Sequence, residues 1–143
     1  MTPEQILLVR SSFAKVEALG DRAAGLFYDR LFVLDPSLRS LFRGEPAAQR
    51  AKLMAALRTV VGALDRLDRI LPVVRDLGRR HAQYGVEPEH YATVGAALIW
   101  TLGQGLGPDF TVATRRAWVA AYSLLAWTMI AAAEAELREK RAA

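Results

Sequence analysis

The chain has no cysteine, which excludes disulfides, thiolate metal sites and cysteine nucleophiles and leaves the redox compartment open. Histidine is almost as scarce. With only His81 and His90 in 143 residues, any imidazole chemistry falls to one or both of them. The sixteen arginines and three lysines give a net charge of +4, yet they stand singly or in pairs, so no nucleic-acid partner is expected. Phosphate loops, zinc-ligand spacings, serine triads, internal repeats and low-complexity tracts are all missing. Glu4, Arg10, Lys15 and Glu17 interrupt the first twenty residues, so a signal peptide is not expected. Nor is a membrane span expected, and the cytoplasm is the default location.

What is present is an apolar, helix-forming chain. Its 52% hydrophobic and 24% charged residues suit a globular protein, and the mean hydropathy of +0.13 leaves room for an apolar ligand pocket. One domain over residues 1–143 is expected, burying roughly 70% of the surface its unfolded chain exposes. Thr2-Pro3-Glu4-Gln5 reads as a capping box with proline in the first turn, followed by Ile6, Val9, Phe13 and Val16 at helical spacing. Asp21 is expected to cap a second helix with Ala24, Tyr28, Leu31 and Phe32 inward. Asp35-Pro36 starts a short helix ending near Phe42, and a long helix from about Ala47 to Leu64 carries Gln49, Leu53, Leu57 and Val60 on one face. Pro72 is expected to start the next, with Val73, Leu77 and His81 in steps of four and a stop at Gly85. Pro88 opens another, with Tyr91, Val94, Leu98 and Leu102 inward, and Thr111 starts the last, with Trp118, Tyr122, Leu125 and Met129 inside and a charged tail from Glu134 to Arg141. No segment alternates like a strand, so the fold class is all-α, with seven or eight unequal helices packed obliquely around a cavity.

His81 is the first candidate for chemistry. On an apolar stripe, a histidine is either a satisfied interior side chain or a ligand, and the stripe alone does not decide. Tyr28 and Gln49 are polar groups on inward stripes of other helices, and each needs a partner if buried, since an unpaired buried polar group costs about 1–3 kcal/mol. Phe42 is a large ring where the chain turns into a loop. A histidine on one wall, a phenol and an amide on the other and an aromatic between them describe a flat cofactor held from one side. Haem iron needs such an imidazole, with the opposite position open for a gas. The second ring nitrogen of His81 would donate to a carbonyl one turn earlier, near Leu77, while Tyr28 and Gln49 would stabilise a partly negative ligand. Lys52 and Arg80 would pair with haem propionates or form a solvated face. His90 reads as exposed at a helix start, and Trp100, Trp118 and Trp127 as core.

The segments Leu31-Phe32-Val33-Leu34-Asp35-Pro36 with Leu41-Phe42, Arg50-Ala51-Lys52-Leu53-Met54, Leu77-Gly78-Arg79-Arg80-His81-Ala82-Gln83-Tyr84-Gly85-Val86 and Leu106-Gly107-Pro108-Asp109-Phe110-Thr111 carry a specific likeness. Through them the chain resembles the globins, above all single-domain bacterial globins, the globin domains of flavohaemoglobins and the neuroglobins. The resemblance implies a globin fold around haem b, with His81 as proximal iron ligand, Phe42 stacked on the haem and Tyr28 with Gln49 as the distal pair. The 32-residue spacing from Gln49 to His81 matches these relatives. Phe32, Leu53, Leu77, Val86, Tyr91 and Val94 are implied as further haem contacts, with Lys52 and Arg80 near the propionates.

Two departures follow from the same likeness. Neuroglobins carry a histidine where this chain has Gln49, so the sixth iron position is expected to be open here. Flavohaemoglobins brace the proximal histidine with a tyrosine and a glutamate. Tyr91 matches the tyrosine, but ungapped matching puts Ala133 rather than Glu134 at the glutamate, and one residue turns a side chain by about 100° on a helix. The implied function is tight, reversible binding of dioxygen, with carbon monoxide and nitric oxide as further ligands and nitric oxide dioxygenation as a reaction. With no reductase domain in these residues, electrons are expected from a separate reductase or a small reductant. The alternatives are a haem-based gas or redox sensor and a haem-free interaction module. A monomer or weak homodimer is expected.

Overall fold

A computed structural model describes residues 1–143. Its six α-helices and three short 3-10 turns account for nearly all of the chain, and it has no strands. α1 (Pro3–Glu17) begins with the expected reciprocal cap: the Gln5 amide donates to the Thr2 hydroxyl and the Thr2 amide to the Gln5 side chain, both at 3.1 Å. α2 (Asp21–Leu34) is entered through Gly20 at φ +61°, a left-handed conformation that only glycine adopts without strain. Asp21 is therefore the first residue of α2 rather than its cap. Its carboxylate instead accepts from the Arg50 guanidinium at 2.8 Å, tying the start of α2 to α3.

Asp35 does cap the short segment after it, accepting from the Ser37 amide at 3.1 Å, but Pro36–Leu41 winds as a 3-10 helix. α3 (Pro46–Gly62) starts with proline in its first turn. A tight turn over Leu64–Arg66 then leads into α4 (Leu67–Gln83), which contains Pro72 instead of starting with it. Proline has no amide to bond one turn back and its ring crowds the carbonyl there, and five residues precede Pro72 in the helix. α5 (Pro88–Leu106) is capped by Glu87 and His90 and stops at Gly107, where φ is +54°. α6 (Val112–Ala142) is capped by Thr111 and runs as one 31-residue helix, so the charged stretch from Glu134 to Arg141 is helical rather than a tail.

The core is continuous. Val9, Phe13 and Val16 of α1 meet Ala24, Phe27 and Leu31 of α2, Leu98 and Leu102 of α5, and Trp118 of α6. The Trp118 indole donates to the buried Ser12 hydroxyl at 2.8 Å, which satisfies both groups away from water. α6 packs mainly on α4 and α1, and α2 on α5. Two glycines let α4 and α5 approach α6. A Cβ at Gly78 would lie 2.4 Å from the Met129 carbonyl oxygen, and one at Gly95 would lie 2.7 Å from the Tyr122 ring.

Two expectations about exposure are corrected. On α4 the buried face is Val74 and Gly78, while Val73 is 63% exposed, because α6 lies one residue around the helix from the expected stripe. Trp127 is 71% exposed, on the side of α6 turned away from α1 and α4. One helix has the length and apolarity of a membrane span. Residues 91–108 and 117–133 carry no charge, and α6 is long and apolar enough to cross a membrane, with a mean hydropathy of 1.3 over 18 residues. In this fold it is instead a packing partner of α1, α4 and α5.

Candidate functional site

α3 and α4 are held by different partners: α3 rests on α1 and α2, α4 on α6. The walls that carry Gln49 and His81 thus belong to separate parts of the core. At one end, Leu41 approaches the turn after α4, 3.4 Å from where a Cβ of Gly85 would stand. Gly85 has φ +98°, so this turn needs a residue free to adopt the left-handed region.

On α4, the His81 Nδ1 lies 2.8 Å from the Leu77 carbonyl oxygen. A carbonyl only accepts, so Nδ1 carries the proton and Nε2 keeps its lone pair. The ring is half-buried, and burial holds its pKa below the ordinary value, outweighing the opposing effect of the Leu77 hydrogen bond. A neutral, oriented imidazole with a free Nε2 is the donor that haem iron requires. The residues present therefore fit the group.

A second set of candidate side chains, on α2 and the segment after it, is aromatic. Tyr28 meets Phe42 edge-on at 5.3 Å between ring centroids and Phe32 in a stacked arrangement at 6.1 Å, while Phe32 and Phe42 are 5.6 Å apart. The α2 register places Phe32 one turn after Tyr28, and the 3-10 helix brings Phe42 back onto both. The Tyr28 hydroxyl donates to the Gln49 backbone carbonyl at 3.4 Å, a long bond. Burial raises the phenol pKa, so Tyr28 is a donor at neutral pH. Gln49 is half-buried and its side-chain amide lies against Gly44, so the structure joins Tyr28 to the Gln49 main chain and sends the amide toward the loop.

The other expected contacts divide into three groups. Phe32, Phe42, Leu53 and Val94 are partly buried against the main core, while Leu77 is half-buried beside His81. Val86 and Tyr91 lie on the α6 side of α4, where they line a cavity of about 360 Å³ together with Ala133 and Glu134. The Tyr91 carbonyl accepts from the Tyr122 hydroxyl at 2.6 Å. Ala133 and Glu134 thus both border the cavity at Tyr91, and no hydrogen bond joins the Tyr91 hydroxyl to the carboxylate. Arg80 is exposed and pairs with Asp76 one turn back at 2.8 Å, while Lys52 is exposed and makes no ion pair. His90 accepts from the Glu87 amide through Nδ1 at 2.9 Å, so it is a capping group. Sequence reasoning missed two contributors: Gly78, which lets α4 approach α6, and Tyr122, which anchors the start of α5. An isolated helix glycine signals close approach only weakly, and an inward tyrosine does not reveal its partner.

An all-helical fold with one half-buried histidine oriented by its own helix, and an aromatic cluster carried on other helices, is consistent with a haem-pocket protein. The globin family model matches residues 25–129, and the chain belongs to the globin family. It is 32% identical over 124 residues to the flavohaemoprotein of Bacillus subtilis, covering 85% of this chain and 31% of that one. With the neuroglobin of Danio rerio it shares 31% identity over 139 residues, covering 85% of this chain and 86% of the relative. Among solved structures it is similar to a bacterial globin from Campylobacter jejuni, with a TM-score of 0.84, 26% identity and coverage of 96% and 99%. It is also similar to an engineered carbene transferase from Rhodothermus marinus, whose parent is described as a candidate nitric oxide dioxygenase. That match has a TM-score of 0.86, 28% identity and coverage of 100% and 99%. The chain spans about a third of the length of the flavohaemoprotein it matches.

Proposed function

We propose that the chain holds haem b through His81 Nε2, binds dioxygen reversibly, and turns over nitric oxide with dioxygen to nitrate. The observation that carries this reading is the His81–Leu77 hydrogen bond at 2.8 Å, which leaves the free ring nitrogen neutral and oriented. When bound, haem would supply a ferrous iron able to take a diatomic gas.

The chain's own residues do the rest. Leu77 holds the tautomer, and the burial of His81 keeps it unprotonated. Phe42 and Phe32 offer ring faces and edges that exclude water, which strengthens every polar interaction inside. Tyr28 stays a phenol because burial opposes its ionisation, and its weak bond to Gln49 is readily exchanged for one to a polar ligand. Gln49 can swing its amide from Gly44 to join it. Lys52 is free to meet a haem carboxylate, and Arg80 would first have to leave Asp76. Net conversion of nitric oxide and dioxygen to nitrate consumes one electron, which a reductase or small reductant must supply.

The test is reconstitution followed by mixing. Protein saturated with haem should show a Soret band at one haem per chain and, reduced and exposed to dioxygen, should consume nitric oxide stoichiometrically with nitrate as product. Haem uptake without nitrate formation would leave gas binding and remove the dioxygenation. Failure to retain haem would overturn the reading entirely.

A further inference from the structure

Past the point where α4 and α6 touch, the two helices leave a space between them. Their contact is closest at Gly78, where an added Cβ would stand 2.4 Å from the Met129 carbonyl oxygen. Farther toward the C-terminal end of each helix, Ala82 on α4 and Ala133 on α6 offer only methyl groups, too short to fill the gap. The turn after α4 and the start of α5 close the far side through Val86, Pro88 and Tyr91, leaving a cavity of about 360 Å³. That volume falls within the roughly 300–1,000 Å³ of small-molecule sites. His81 and Leu77 are not part of the lining, so the cavity is separate from the candidate iron ligand and lies on the α6 side of α4.

The lining is chemically asymmetric. Gly78, Ala82, Ile130 and Ala133 make an apolar floor, while Glu87, Glu134, Glu136 and Lys140 stand at the mouth. Lys140 lies 3.9 Å from Glu136, at the outer limit of an ion pair. Glu134 is exposed and has no cationic partner within the chain. Even with Glu87 engaged at the start of α5, the mouth keeps an excess of negative charge in a chain whose net charge is +4. Tyr91 borders the same space; its carbonyl accepts from Tyr122, but its hydroxyl has no partner in the chain.

We infer that this cavity binds a small organic ammonium compound, a single ring or short aliphatic body carrying one protonated amine. The apolar floor takes the body, whose removal from water drives binding. The mouth takes the ammonium: Glu134 and Glu136 attract it, and Tyr91 offers a hydroxyl acceptor and a ring face. An anion of the same shape is repelled by the same carboxylates, and a neutral analogue gains only the burial, so charge discriminates among ligands of one size. A bare metal cation fits poorly, because the floor is apolar and no three ligating side chains converge there.

The experiment is calorimetric titration of the haem-loaded protein with phenethylamine, under carbon monoxide and reductant so that the amine cannot reach the iron. One phenethylamine should bind per chain, with 2-phenylethanol about fivefold weaker and 3-phenylpropanoate weaker still. Ala133→Phe, which places a ring in the floor, should abolish binding, with helicity and the Soret band showing that the fold is intact. Glu134→Gln keeps the shape and removes the charge; it should weaken phenethylamine about threefold and leave 2-phenylethanol unchanged. Glu139→Gln, exposed on the same helix outside the cavity, should leave both unchanged. No binding at millimolar phenethylamine overturns the proposal, as does binding that survives Ala133→Phe or equal affinity for the alcohol. Equal losses in Glu134→Gln and Glu139→Gln also overturn it, since they would mean attraction to the acidic surface as a whole. The cavity includes no candidate iron ligand, so these outcomes stand apart from the haem assignment.

Discussion

Replacing Gly78 with alanine tests the geometry that positions the candidate ligand. A methyl at this position would stand 2.4, 2.6 and 2.8 Å from the carbonyl oxygen, Cα and carbonyl carbon of Met129. These are main-chain atoms of α6, so no rotamer change relieves the contact, and α4 must retreat by about 1 Å to restore ordinary packing. Overpacking of this kind costs about 1–3 kcal/mol, and the lack of any yielding side chain puts Gly78 at the upper end. Opposing it, alanine in a helix interior is favoured over glycine by roughly 0.5–1 kcal/mol. The clash wins, leaving a net loss of about 2 kcal/mol, or some 4–8 °C in Tm for a chain of this size. The assay is thermal unfolding followed by circular dichroism on haem-free and haem-loaded protein, since ligand binding shifts apparent stability. Gly25→Ala is the control: nothing lies within 4 Å of a Cβ there, so only the helix preference acts and stability should rise. Because His81 is three residues from Gly78, the retreat of α4 should also hasten haem loss. A Gly78→Ala protein as stable as Gly25→Ala would refute the argument, as would rescue by Met129→Ala, which leaves the main-chain contacts in place.

Three further outcomes are expected. His81→Ala should lose most bound haem, read as the haem-to-protein ratio after purification, because His90 caps α5 and no other imidazole is available; full retention with an unchanged spectrum would remove His81 from its role. Tyr28→Phe should speed dioxygen release about 10- to 150-fold if one hydrogen bond to a partly negative ligand contributes about 1.5–3 kcal/mol. Carbon monoxide release should change far less, and Gln49→Leu should have a smaller effect on both; equal changes for the two gases on stopped-flow would mean steric access rather than polarity. Haem retention should be full above the ordinary imidazole range and fall only at lower pH. Burial lowers the His81 pKa, so the neutral form persists below 6.5 and is lost as pH falls through the depressed value. A spectrophotometric titration showing release beginning above pH 6.5 would contradict this.

Local chemistry was legible in the chain alone. The capping box at Thr2 and Gln5, the Asp35-Pro36 start, the helix at Pro88 and the cap at Thr111 depend on residues a few positions apart, so their hydrogen bonds are set by short-range sequence. His81, with Leu77 one turn before it, falls in the same class, and the hydrogen bond between them is the expected one. Where a helix face points is decided by its distant partner. Val73 was expected inside on spacing alone, but α6 approaches where Gly78 allows backbone contact, which turns Val74 inward and Val73 to solvent. Pro72 was read as a start because proline is favoured there, yet tertiary packing extends α4 five residues earlier. Trp127 was assigned to the core because a large aromatic is usually buried, and only the assembled fold shows that its side of α6 has no partner within the chain. Tyr28 and Gln49 were expected as a pair of donors to a bound ligand, and only the fold shows that the phenol meets the Gln49 carbonyl while the amide lies against Gly44. Sequence specifies contacts spanning one helical turn; contacts between helices depend on crossing points that pairs of remote residues, such as Gly78 and Met129, determine only once the chain has folded.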